Sequence, residues 1–129
     1  MGIIFTIHRI LGEMVLPLVI VIVAIWMTIS WRPSGQPNAA ARLFPILVDI
    51  QATLGLLYWV LGIVQGNTRF LSFPFILHPL IGLIAAGFAH MAVKGGPLRG
   101  LGRWAPLASL AILLVLVLVN VMLTMTIAR

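Results

Sequence analysis

The chain has 129 residues, 62% of them hydrophobic, with eight Lys or Arg against two acids and a net charge of +6. A soluble domain is about 25% charged and about 45–50% apolar, so a water-soluble fold is excluded, and the basic excess belongs with helix orientation and lipid headgroups, not with nucleic acid. The absence of cysteine excludes disulfides, thiolate metal sites, iron–sulfur clusters and covalently attached haem.

The first apolar run predicts a helix over 3–29. It is longer than the apolar core of a signal peptide, it carries Glu13, and no convincing small-residue cleavage site follows, so it reads as a retained span. His8 stands about five residues into it, next to Arg9. Arg9 and Glu13 are four apart, share a face and are expected to pair. WRPSGQPNAAAR (31–42), with two prolines and a glycine, breaks the helix.

The second span is predicted over 43–65, with Pro45 in its first turn. It contains VDIQATLGLLYW (48–59), where Asp49 and Gln51 are polar. Ala52, Gly55, Gly62 and Gly66 form a small-residue stripe that predicts close helix packing. QGNTRF (65–70) ends this span, and the third is predicted over 73–93. There LHPLIGLIAAGFAH (77–90) has a histidine near each end, His78 and His90. KGGPLRGLGR (94–103) is dense in glycine and positive charge. The fourth span is predicted over 104–127, with Pro106 in its first turn and Asn120 expected to make a bundle hydrogen bond. Pro17 and Pro79 lie inside spans and are expected to kink them. Trp26, Trp31, Tyr58, Trp59 and Trp104 suit interfacial belts.

Each span can cross a bilayer, and short loops make neighbours antiparallel. The predicted fold is therefore all-α: a single transmembrane domain over 1–129, an integral membrane four-helix up-down-up-down bundle. One side carries Arg9, Arg69 and Arg129; the other carries Arg32, Arg42, Lys94, Arg99 and Arg103. That bias favours the second side as cytoplasmic, with both termini outside.

Ionisable groups inside spans are costly and are candidates for function. His8 and His78 each lie about five residues into spans of the same direction, so they share a depth at about 1.5 Å per residue. Each has a glycine four residues later, Gly12 and Gly82, on the same face one turn deeper. An axial nitrogen from each side, with no side chain where a flat ring lies, is what a haem needs. The spacing also leaves open a pair of hydrogen-bonding histidines beside glycines that pack helices. His90 comes twelve residues after His78, about 120° around the helix and about 18 Å along it, so one face cannot present both. It is expected to neutralise Asp49 at the opposite surface.

IHRILGE (7–13), DIQATLGLLYW (49–59) and RFLSFPFILHP (69–79) resemble a family of small bacterial four-helix membrane proteins sometimes labelled cytochrome b-like. The family pattern has an early His in the first helix, Asp-x-Gln-x-x-x-Gly in the second, and Arg-Phe followed by His in the third. The matching positions are His8, Asp49 with Gln51 and Gly55, and Arg69–Phe70 with His78. The resemblance covers the first three spans. The chain departs from it in placing Arg9 directly after the first histidine, and nothing in the pattern matches His90. The resemblance implies b-haem, and it selects the two histidines that depth selects.

The resulting expectation is a b-type cytochrome-like protein with one non-covalent haem b and His8 and His78 as its metal ligands. Gly12 and Gly82 would lie beside the ring, and Arg9 and Arg69 at the level of its propionates. Two axial ligands leave no open position on iron, which implies electron transfer and not oxygen chemistry. The expected setting is the bacterial inner membrane, as a subunit of a respiratory or photosynthetic complex or beside a quinone. A competing expectation is a non-catalytic accessory transmembrane subunit without cofactor. A third is a proton or small-solute carrier using Glu13, Asp49 and His90, whose ionisable groups sit near the surfaces and not at the midplane.

Overall fold

A computed structural model describes residues 2–30, 39–92 and 96–127. The first span is composite: α1 (Gly2–Ile10), a π-helical turn (Leu11–Val15) and α2 (Leu16–Ile29). The others are α3 (Ala39–Val64), α4 (Phe73–Ala92) and α5 (Ala105–Ile127), with 3₁₀ turns at Thr68–Leu71 and Gly96–Trp104. Four stretches, Gly2–Ile29, Arg42–Val64, Phe75–Ala92 and Gly100–Thr124, are long and apolar enough to cross a membrane. The chain is an all-α four-helix bundle and a multi-pass membrane protein, as composition predicts. Residues 31–38, with Trp31 and Arg32, the residues Lys94 and Arg129, and the side chain of Arg99 lie outside the described residues.

Proline shapes the helices locally. Pro17 has no N–H, and its ring would crowd the carbonyl four residues back, on Glu13. The turn before it is wound to wider spacing, with the Leu16 N–H bonded to the Leu11 carbonyl, which takes in the proline without ending the span. Pro79 lies inside an uninterrupted α4. The second span starts earlier than predicted. Ala39, Ala40 and Ala41, strong helix formers, carry it back, so Pro45 stands inside α3 and not in its first turn. α3 ends on Gly66, whose φ of 85° is left-handed. The Gly66 N–H bonds to Ile63 O at 2.9 Å and the Asn67 N–H to Gly62 O at 3.0 Å, a helix-terminating pair that glycine suits. Gly66 is thus a cap, not part of a packing stripe.

The four spans form a ring of neighbours: first on second, second on third, third on fourth, fourth on first. The first and third therefore face each other across one diagonal. Burial is uneven along the bundle. Ile20, Leu110 and Leu113 are fully enclosed, joined by Phe44 and Val48 of α3 and by the alanines Ala85, Ala89 and Ala92 of α4. Small α4 side chains let backbones approach closely. All of these sit in the half toward the 30–39 and 92–105 connections. In the other half α1 buries no residue. That half holds the polar side chains of His8, Gln51, His78 and Asn120, while the packed half encloses Ser109.

Candidate functional site

His8 on α1 and His78 on α4 project into the bundle from the diagonal spans. Their ring centroids are 6.1 Å apart and their planes cross at 78°. The matched depths inferred from the sequence thus become a meeting of two imidazoles.

Each ring is held at the same atom. His8 Nδ1 lies 3.2 Å from the main-chain oxygen of Gln51. A carbonyl oxygen only accepts, so Nδ1 donates and, in the neutral ring, Nε2 carries the lone pair. His78 Nδ1 lies 2.8 Å from Asn120 Oδ1 on α5, again an acceptor. Both imidazoles therefore have an anchored Nδ1–H and a lone pair on Nε2. Gln51 also donates from Nε2 to the His8 carbonyl at 2.8 Å, so α1 and α3 are cross-braced at His8. The other end of that amide, Oε1, is buried without a partner. An orphaned buried acceptor costs about 1–3 kcal/mol.

The glycines act differently from the sequence-based expectation. The spot beside Gly12 does not stand open, whereas the one beside Gly82 would admit a Cβ. A Cβ on Gly12 would lie 2.5 Å from Gln51 Nε2, and one on Gly82 would lie 3.7 Å from Asn120 Nδ2. The notch at Gly12 seats the Gln51 amide, and Gly82 lies in ordinary contact with Asn120. The glycine against an imidazole is Gly55, where a Cβ would lie 2.5 Å from His8 Cε1. Gly55 follows Gln51 by four residues, so one face of α3 both binds the ring edge and makes room for it.

An aromatic layer lies one turn nearer the adjacent surface. Phe5 precedes His8 by three residues, Phe75 precedes His78 by three, and Tyr58 follows Gly55 by three. Tyr58 meets Phe5 at 5.1 Å and Phe70 at 5.6 Å, and Phe70 meets Phe75 at 5.3 Å. Phe70 comes from the short turn and packs on Gly62. Trp59 Nε1 holds that turn by donating to Phe70 O at 2.9 Å. Trp59 therefore ties the turn to α3, beyond any interfacial role. This layer stands between the imidazoles and that membrane surface.

Arg9 pairs with Glu13 at 3.2 Å, as the four-residue spacing implies. Arg69 places its guanidinium 5.3 Å from the Phe75 ring centre. Both cations stand at the histidine end. At the opposite end His90 Nε2 meets Asp49 Oδ2 at 2.9 Å, the contact expected from the sequence. The pair lies on the outer surface, with about half of each side chain exposed, and not in the interior. A hollow of about 130 Å³ between α2 and α5, bordered by Ile20, Ala24, Leu110 and Leu114, is purely apolar and offers nothing to orient a polar ligand.

Sequence reasoning did not assign Asn120 to His78 or Gly55 to His8. The one available signal was Gln51 and Gly55 sharing a face four residues apart.

The donor set narrows the chemistry. Among the described residues no group of three or more His, Asp or Glu is placed to hold a metal ion. A bare zinc ion takes about four ligands. A haem iron needs only two from the protein, since the macrocycle supplies the rest. Two imidazoles sharing one metal, at about 2 Å per metal–nitrogen bond, have ring centres about 6 Å apart. The pair fits that spacing, and its Nδ1 anchors match the usual support of ligating histidines.

The fold and site define a four-span membrane bundle with a paired imidazole centre in its interior. Comparison with protein-family models, curated proteins and solved structures finds no match to this chain.

Proposed function

We propose that the protein is a b-type cytochrome: His8 and His78 would hold one non-covalent haem b, which would supply single-electron transfer within the membrane. One observation carries the reading. Two imidazoles from diagonal spans come within 6.1 Å, each anchored through Nδ1 to an oxygen. When bound, the haem would supply one-electron redox chemistry. The chain's own residues do the rest. His8 and His78 would each offer an Nε2 lone pair to the iron, a pairing suited to electron transfer and not to oxygen chemistry. Phe5, Tyr58, Phe70 and Phe75 exclude water from one side and keep the surroundings of low dielectric. Arg9 and Arg69 stand at the end where carboxylates would gain from cations. Most described residues lie in spans, so redox partners would approach within the membrane, as a quinone or as neighbouring subunits of a respiratory or photosynthetic complex. The proposed setting is the bacterial inner membrane, and the bias of basic residues favours both termini outside.

A second reading, an accessory subunit without cofactor, draws on the notch at Gly12 that Gln51 fills. A reduced-minus-oxidised spectrum with a pyridine haemochrome assay separates the two. Protein from a haem-replete host should show a b-type α band. His8→Ala and His78→Ala should abolish it and His90→Ala should not. A wild-type protein without the band overturns the haem reading.

A further inference from the structure

We propose that Asn120 is a positioning residue of this centre: its Oδ1 takes the Nδ1 proton of His78 and so leaves Nε2, like Nε2 of His8, as a lone-pair donor. The inference rests on the reading of the pair as metal ligands, and it adds a member from the fourth span.

Three observations converge on Asn120. It accepts from His78 at 2.8 Å, shorter than the 3.2 Å bond that anchors His8. Its Nδ2 lies beside Gly82, where a Cβ would stand in ordinary contact at 3.7 Å. It is the counterpart of a bond that mutation cannot remove, because His8 uses a main-chain carbonyl and His78 uses a side chain. An amide in an apolar span is costly unless bonded, and a leucine would pack there without that cost. The cost is offset by fixing a tautomer. An imidazole that donates at Nδ1 presents Nε2 unprotonated, the form that binds a metal. The acceptor also makes the ligand more basic.

The first test needs no haem. The haem-free protein, labelled with ¹⁵N-histidine in lipid nanodiscs, should show both His8 and His78 as Nδ1–H tautomers. In Asn120→Leu the His78 signal should move toward the Nε2–H form while His8 stays. Asn120→Asp should restore the Nδ1–H form. The second test titrates haem b. Asn120→Leu should weaken binding about 10- to 100-fold. Asn120→Asp should bind and should shift the midpoint potential downward, because a carboxylate acceptor favours the oxidised iron. An Nε2–H tautomer at His78 in the wild type means that the amide is turned end for end, and overturns the proposal. So does haem affinity unchanged in a folded Asn120→Leu. If the wild type shows the Nδ1–H tautomers but takes up no haem, the assignment of Asn120 stands and the cytochrome reading falls.

Discussion

Gly55→Ala tests the seating of His8 most directly. The added Cβ would lie 2.5 Å from His8 Cε1, 3.0 Å from Nε2 and 3.1 Å from Nδ1. Ordinary contact begins near 3.4 Å, so the ring must retreat from α3 by about 0.9 Å. The 3.2 Å bond from Nδ1 to Gln51 O then opens past hydrogen-bond range. Overpacking of this kind costs about 1–3 kcal/mol, and the lost bond about 0.5–1.5 kcal/mol. Alanine returns up to about 1 kcal/mol through helix propensity. The net expectation is a loss of about 1–3 kcal/mol, together with a displaced axial ligand. Gly87 is the control, since a Cβ there meets nothing within 4 Å. Unfolding in mixed micelles, read by circular dichroism, should show Gly55→Ala well below wild type and Gly87→Ala near it. Haem uptake should fall only in Gly55→Ala. The double variant Gly55→Ala/His8→Ala should recover stability but not haem. Equal behaviour of the two single alanine variants would refute the argument.

Three further outcomes follow from the same structure. Gly66→Ala places a Cβ on a left-handed residue and should cost about 1–2 kcal/mol in micelle unfolding, with the haem spectrum unchanged. His90→Ala leaves Asp49 unpaired on the outer face. It should cost about 1–3 kcal/mol, between an exposed ion pair and a lone carboxylate in lipid, and Asp49→Leu in the same chain should recover most of it. Leu113→Ala empties a fully buried position in the packed half. Calorimetry should register about 2–5 kcal/mol of destabilisation, while the histidine tautomers stay as they are.

The spans were legible because apolar length suffices to mark them. The depth of His8 and His78 was legible because rise per residue and antiparallel order are fixed by helix geometry. The same arithmetic placed His90 with Asp49. The use of the glycines was not legible, for a different reason. Which neighbour fills a notch depends on how each helix is rotated about its axis and on what the next helix presents. Gly12 receives Gln51 from α3, and Gly82 faces Asn120 from α5. Neither partner shares a span with its glycine. Gly66 had a readable signal in its position at the end of an apolar run, but the small-residue stripe masked it. The early start of α3 was hidden by the prolines and glycine just upstream of Ala39.

The uneven burial gives these details a common cause. Close packing in one half, around Ile20, Leu110 and Leu113, fixes the four spans relative to one another. A bundle fixed at one end has less need of apolar contacts at the other. There the interior can carry polar groups, each with a partner on a neighbouring span: His8 with Gln51, His78 with Asn120. These bonds link first to second and third to fourth. Across the diagonal the two imidazoles meet at 6.1 Å, without a hydrogen bond between them among the described contacts. A metal centre shared by His8 and His78 would close that diagonal. On this argument haem binding should stiffen the histidine half and leave the packed half unchanged. Hydrogen exchange should therefore slow in α1 and the start of α4, and not around Leu113.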